Sequence, residues 1–349
     1  MKIKTKFFKK QLEKYKIIIL LIPILFILSL TYTTSRSFLA EGQEDSNVDQ
    51  DFQIYENLTQ DKINLFCGDI DGDEVDEIIT INSEKDPSFK VFNLRGEQKD
   101  IIKGFSGSNK NEFSYVAGDI DGDKKDEIIR FFTENSSLIE ILKDNKIISK
   151  FEVFKNLNIG TSVALGDINN DGLDEIVVGA GRGGGPQVDV FNGQGERLAS
   201  FFVFSPSLRN GVNVVTGNVD EEAKEEIIVS QKRGGEGVIR IYKLDNIKTF
   251  LNTFMAYPNT FKDGANLIAS DLDNNGRLEI ITTRDIDDNN QLEMKLFNST
   301  GNKRDLTNDK FSKITYDSKI SACDFQDRKG IVVSYQDDER VKVEVIYNY

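Results

Sequence analysis

The sequence predicts an all-β fold, a β-propeller of six four-stranded blades rather than seven, behind an N-terminal transmembrane helix. Three observations predict it. First, an acidic segment followed by an apolar run starts at Gly68, Gly118, Gly166, Gly217 and Ser270, with a worn copy at Cys323; successive starts lie 50, 48, 51, 53 and 53 residues apart. A fixed period of that size marks a repeat architecture. Second, the apolar runs inside one period are short, rich in β-branched residues and Phe, and lack helical periodicity. Third, the two ends of the array complement each other, as a closed ring requires.

The third period shows the unit most clearly. "SVALGDI" leads into the acidic loop, "DEIVVGAG" follows it, "QVDVFN" alternates, "GQG" turns, and "ERLASFFVF" returns. Four strands of ordinary length joined by hairpin turns are the content of one propeller blade. An aromatic residue lies 12 or 13 positions before each start: Tyr55, Phe105, Phe154, Phe204, Tyr257 and Phe311. "DFQIYENL" therefore reads as the fourth strand of a blade whose other three strands come from elsewhere. The last period supplies three, "SKISACDF", "GIVVSY" and "VKVEVIYN". Six blades follow, the sixth completed by residues near 52–58, and closure removes the open sheet edges.

Ahead of the ring, residues 1–16 form a basic cytoplasmic segment. Residues 17–35, "IIILLIPILFILSLTYTTS", run without a charge and are just long enough to span a bilayer. Seven Lys precede this stretch, which places the N-terminus in the cytoplasm and the repeats outside it. A signal peptide, cleaved to release a secreted protein, is the alternative, but small residues before a cut are poorly represented. Residues 36–51 read as a polar stalk and residues 52–349 as the propeller.

Charge and composition exclude several functions. The chain has 44 Lys and Arg against 58 Asp and Glu, a net charge of −14. Its first 40 residues hold eight of the basic residues and one acid, so the rest carries 36 against 57, a net charge of −21. That surface repels nucleic acid and attracts cations. There is no His, which excludes a Ser-His-Asp triad and HExxH zinc chemistry. The reading is of a binding module, not an enzyme. Cys67 and Cys323 occupy matching places in the first and last repeats, one position out of register; two buried free thiols are expected, with a disulfide between the chain ends as the alternative. "GAGRGG" at 179–184 matches a nucleotide-binding glycine pattern, but Pro186 and a strand follow it instead of a helix, so it reads as a turn. Asn57, Asn135 and Asn298 are glycan acceptors only in a host that glycosylates them.

The acidic loop itself reads as a calcium site. In the third loop Asp167, Asn169 and Asp171 fall at positions 1, 3 and 5, Gly172 at 6, the Leu173 carbonyl at 7 and Glu175 at 9. Alternate positions turn their oxygens inward and give a shell of six or seven, the coordination a hard cation of calcium's size takes. The first loop offers Asp69, Asp71, Asp73, the Val75 carbonyl and Glu77. The second offers Asp119, Asp121, Asp123, the Lys125 carbonyl and Glu127, and the fifth Asp271, Asp273, Asn275, the Arg277 carbonyl and Glu279. Asp76, Asp126 and Asp174 at position 8 compete with the Glu at 9. A metal-free acidic turn is the bland alternative for any one loop.

These loops resemble the calcium loops of the FG-GAP/VCBS repeat family, the propeller repeats also found in integrin α chains. The resemblance covers about residues 52–349, with "GDINNDGLDEIVVGAGRGGGPQVDVFNGQGERLASFFVF" the closest stretch. It implies a calcium-stabilised extracellular propeller that binds a ligand or mediates adhesion. Departures are visible. Position 6 holds Glu74 and Lys124 where the family prefers Gly, with Gly72 and Gly122 at position 4 as substitutes for the turn, and Lys124 is expected to weaken the second site. The fourth loop, with Asn218, Asp220, Glu222 and Glu226, is expected to be weak or empty, and the shortened sixth empty. The function expected is that of a membrane-anchored extracytoplasmic calcium-binding module for a surface protein or glycan. A glycan-binding or glycan-cleaving propeller and a structural surface scaffold are the alternatives; two carboxylates can cleave glycosides without His.

Overall fold

The structure, a computed structural model, describes residues 51–59, 63–82, 86–105, 113–220, 222–286, 291–304, 314–315, 317–325 and 328–347. The basic segment, the expected membrane span at 17–35, the stalk up to residue 50 and the anchor aromatic Phe311 lie outside the described residues. Among the described residues no helix is long and apolar enough to cross a membrane.

Strand β1 (Asp51–Glu56) comes first in the chain. Blade one is β2 (Ile63–Gly68), β3 (Glu77–Asn82), β4 (Asp86–Phe92) and β5 (Gln98–Ile102). Blade two is β6 (Phe113–Gly118), β7 (Glu127–Phe132), β8 (Leu138–Lys143) and β9 (Lys146–Glu152). Blade three is β10 (Thr161–Gly166), β11 (Glu175–Ala180), β12 (Gln187–Phe191) and β13 (Arg197–Phe202). Blade four is β14 (Val212–Gly217), β15 (Glu226–Gln231), β16 (Val238–Tyr242) and β17 (Asn252–Met255). Blade five is β18 (Asn266–Ser270), β19 (Glu279–Ile286), β20 (Gln291–Phe297) and β21 (Lys303–Arg304). Blade six combines β22 (Ile320–Phe325), β23 (Arg328–Asp337) and β24 (Arg340–Tyr347) with β1 as its outermost strand. The β1–β24 register runs from Asp51 opposite Glu344 to Glu56 opposite Arg340. The expected six-blade closure by residues near 52–58 is thus observed.

The sequence makes β sheet of these segments because both faces of the middle strands are covered by neighbouring blades. β3, β11 and β15 are buried at every residue, and they read accordingly as near-continuous apolar runs. The core is a set of layers between adjacent blades. Val163, Val178 and Phe191 of blade three pack with Ile129 and Ile141 of blade two. The aromatics that recur before each repeat start fill these seams, since Phe105, Phe154, Phe204 and Tyr257 are all buried and contribute large apolar areas each.

The ring is sealed at a second place. Cys67 on β2 and Cys323 on β22 form a disulfide with their Cα atoms 5.4 Å apart. The expectation of two free thiols is therefore corrected. The two cysteines meet because β2 and β22 lie on neighbouring innermost edges, within normal disulfide reach.

Deleting residues 51–58 should leave β24 as an open edge and lower the urea midpoint more than removal of an exposed loop of equal length. The double change Cys67→Ser with Cys323→Ser should cost about 2–5 kcal/mol in the same measurement. Unchanged midpoints would refute closure through these two seams.

Candidate metal centre

Each acidic loop joins the innermost strand of its blade to the second, so all the loops lie on one face of the ring. Position 1 organises the loop. Asp69 Oδ1 accepts the amides of Gly72 at 2.7 Å and Asp73 at 3.0 Å, and its Oδ2 accepts that of Glu74 at 2.8 Å. Asp119 repeats this with Gly122 and Lys124, Asp167 with Asp171 and Gly172, and Asp271 with Asn275 and Gly276. Position 5 holds the amide of position 7: Asp73 that of Val75, Asp123 that of Lys125, Asp171 that of Leu173, and Asn275 that of Arg277. The loops are thus prefolded by their own acids, a strengthened form of the Asx turn.

Positions 4 and 6 both take the left-handed conformation. The pairs are Gly72 and Glu74, Gly122 and Lys124, Asn170 and Gly172, and Asn274 and Gly276. Glycine at position 4 therefore does not replace the turn at position 6; Glu74 and Lys124 adopt it too, at φ 66° and 69°. A residue with a Cβ pays roughly 1–2 kcal/mol there.

Positions 8 and 9 divide their roles. The position 8 amide donates to the position 1 carbonyl of the preceding blade: Asp126 to Asp69 at 2.8 Å, Asp174 to Asp119 at 2.9 Å, Glu225 to Asp167 at 3.2 Å, Leu278 to Asn218 at 2.8 Å, and Asp76 to Asp324 at 2.8 Å. The side chains reach the same way. Asp126 Oδ2 accepts from the amide of Asp69 at 2.9 Å and Asp76 Oδ2 from that of Asp324 at 2.7 Å. This close approach explains the glycine that opens the repeats, since a Cβ on Gly118 would sit 2.3 Å from Asp174 Oδ2. Position 8 clasps blade to blade, and burial in the clasp pushes Asp76, Asp126 and Asp174 each up to about 7.

The Glu at position 9 instead turns back under its own loop. Glu77, Glu127, Glu226 and Glu279 each accept the position 2 amide, from Ile70, Ile120, Val219 and Leu272. All five of these Glu, Glu175 included, are at most 2 % exposed. Three carboxylates of the first loop (Asp69, Asp71, Glu77), of the second (Asp119, Asp121, Glu127) and of the fifth (Asp271, Asp273, Glu279) bring oxygens within 4.8 Å of one another.

A cation from the same blade stands among the acids of four loops. Lys99 Nζ lies 2.7 Å from Glu77, 3.2 Å from Asp71 and 3.8 Å from Asp73. Lys143 pairs with Asp121, with Asp123 at 2.8 Å and with Glu127 at 3.0 Å. Lys243 meets Asp220 at 2.7 Å, Glu222 at 2.9 Å and Glu226 at 3.6 Å. Arg304 pairs with Asp273 and reaches Glu279 at 3.3 Å. Sequence reading missed all four, because they sit on or just after the third or fourth strand, 16 to 31 residues from the acids they face. It also misassigned Lys124, whose amine pairs with Glu74 of the neighbouring blade at 3.1 Å, largely in solvent.

The third loop differs. Among the described residues no basic side chain pairs with Asp167, Asp171 or Glu175. The Asn169 amide donates to Asp171 at 3.0 Å and Glu175 Oε1 at 2.6 Å, while buried Glu175 Oε2 has no hydrogen-bond partner. Burial and the negative Asp171 and Asp167 push Glu175 up to about 7. An orphaned buried carboxylate oxygen beside two further acids fits a hard divalent cation, and rotation of the Asn169 amide would present its oxygen instead. With no thiol or imidazole present, zinc and copper are not favoured.

The fold and this loop define the class, a six-bladed all-β propeller with acidic loops repeated on one face. More particularly, residues 159–196 match the family described as FG-GAP repeat, and the matched segment contains the loop that lacks a tethered cation. No curated protein matches the chain. Among solved structures, BBS1N in complex with ARL6DN is 10 % identical with a TM-score of 0.48, covering 82 % of this chain and 81 % of that one. The WD40 propeller domain of Doa1 is 12 % identical with a TM-score of 0.45, covering 81 % and 78 %.

Two outcomes are expected. Glu74→Gly and Lys124→Gly should each stabilise the propeller by about 1 kcal/mol in denaturant titration. The pH dependence follows from the clasps. Asp126 has its folded pKa above its unfolded value of 3.8, so the folded state holds a proton that the unfolded state has lost. Its contribution is largest at low pH and is lost as pH rises from about 4 to about 7. With chelator present, Asp126→Asn should flatten the fall in melting temperature over that window; an unaltered slope would refute the assignment.

Proposed function

We propose that this chain is a membrane-anchored, extracytoplasmic binding module whose propeller is stabilised by calcium and takes anionic groups of a surface partner at the mouth opposite the acidic loops. The observation that carries the binding part is the charge at that mouth. On a protein of net charge −14, a cavity of about 700 Å³ is lined by Arg182, Lys232 and Arg233, with Glu134 as its one carboxylate. Lys232 Nζ donates to the Thr161 carbonyl at 3.1 Å; burial pushes it down to about 8, against the pull of Glu134. Among the described residues no carboxylate pairs with any of the three cations. A cationic recess on a surface of net negative charge selects carboxylate or other anionic ligands.

Calcium is a structural element in this reading, held by the acidic loops with the third fitting best. The site residues would be Asp167, Asn169, Asp171, the Leu173 carbonyl and Glu175, and the ion would supply the positive charge that loop lacks. Anchoring rests on the apolar stretch at 17–35 and the seven Lys before it.

The test is a glycan array spanning neutral and uronate-bearing oligosaccharides, together with acidic peptides, probed with the ectodomain and with Arg182→Ala/Arg233→Ala. Binding confined to anionic ligands, weakened at least tenfold in the variant, is expected. Preference for neutral ligands, or binding that the variant retains, would overturn the assignment of the mouth.

A further inference from the structure

We propose that loops one, two, four and five are neutralised by the chain's own cations and that the third loop alone takes a divalent ion. The inference rests on the calcium reading above and narrows it from four loops to one.

The tethered cations occupy two places in the blade. Strand register makes Phe92, Phe191 and Phe297 equivalent, each within the third strand and opposite Gln98, Arg197 and Lys303 of the fourth. The next residue of the fourth strand is Lys99 in blade one and Arg304 in blade five. In blade three it is Leu198, left 48 % exposed. The second place follows the third strand. Ile128, Ile176 and Ile227 pair with Leu142, Phe191 and Tyr242, and the residues after those are Lys143, Asn192 and Lys243. Blade three therefore has a leucine at one place and an amide at the other.

The amines do what an ion would do. Each stands between the acids of positions 3, 5 and 9 in loops one, two and four, and the Arg304 guanidinium between those of positions 3 and 9 in loop five. A divalent ion entering such a loop must displace a bound charge of the same sign and leave it near the ion. Entering loop three it displaces the neutral Asn169 amide and gives Glu175 Oε2, unpartnered and buried, its ligand. The one matched FG-GAP segment contains this loop.

Equilibrium dialysis at about 1 mM calcium, with circular dichroism to confirm folding, should give one ion per wild-type ectodomain. Leu198→Lys should give none and should keep its melting temperature when chelator is added, whereas wild type should melt several degrees lower. Lys99→Leu should give two ions, and Lys99→Leu with Leu198→Lys should return the count to one. Glu175→Gln should lose the wild-type ion without supplying a cation. More than one ion on wild type, or an unaltered count in Leu198→Lys or Lys99→Leu, would overturn this inference and leave the calcium reading standing. No ion on wild type, Lys99→Leu or any other variant would overturn the calcium reading and this inference together.

Discussion

Five of the six blades carry a buried glutamate beneath a loop of further acids, and the fold depends on something positive meeting that charge. The Glu at position 9 is at most 2 % exposed in five blades, and an isolated buried carboxylate is costly. The loop offers it one backbone amide, which is not enough for two oxygens. A Lys or Arg thirty or fewer residues away completes the neutralisation in four blades. This constraint explains the anatomy of the acidic face: the loops fold on their own Asp residues, the glutamates anchor them, and a charge from the outer strands closes the set.

Much of the architecture was legible in the sequence because each blade reports its own boundaries. Spacing of the acidic starts gave the blade count, and the surplus "DFQIYENL" with a last period one strand short gave the closure. The acidic loop was legible at the level of residue type, and the different directions of positions 8 and 9 follow period-two geometry: Asp174 meets the preceding blade while Glu175 turns back to its own loop. What could not be read was long-range pairing. Lys99 and Arg304 belong to fourth strands, and nothing in a linear scan marks a lysine there as facing an acid across the sheet. Lys124 misled for the converse reason, being within the loop in sequence but with its amine turned toward Glu74 of the neighbouring blade. The Cys67–Cys323 bond was hidden for the same reason: 256 residues separate two cysteines that only ring closure brings together.

The acidic face also explains how six similar units become one object. Backbone bonds from position 8 to position 1 tie blades one to five in series, and Asp76 extends the series to Asp324 of blade six. Apolar layers then fill the seams behind these clasps. Packing is therefore shared between neighbours, and a blade has little core of its own, as expected for repeat proteins.

The placement of β1 has a consequence for how the molecule is made. Asp51 pairs with Glu344, 293 residues later in the chain. The strand that seals the ring is thus the first to be synthesised and the last to find its partner. Until β24 arrives, β1 and the outer edge of blade six have no hydrogen-bonding partners, and contacts of such long sequence separation form slowly. Blades one to five can assemble in order as they emerge, but the ring as a whole is a product of the completed chain. The interval before sealing is when the unpaired edges are open to another chain, so a chaperone or a slow rate of delivery would matter most for this step.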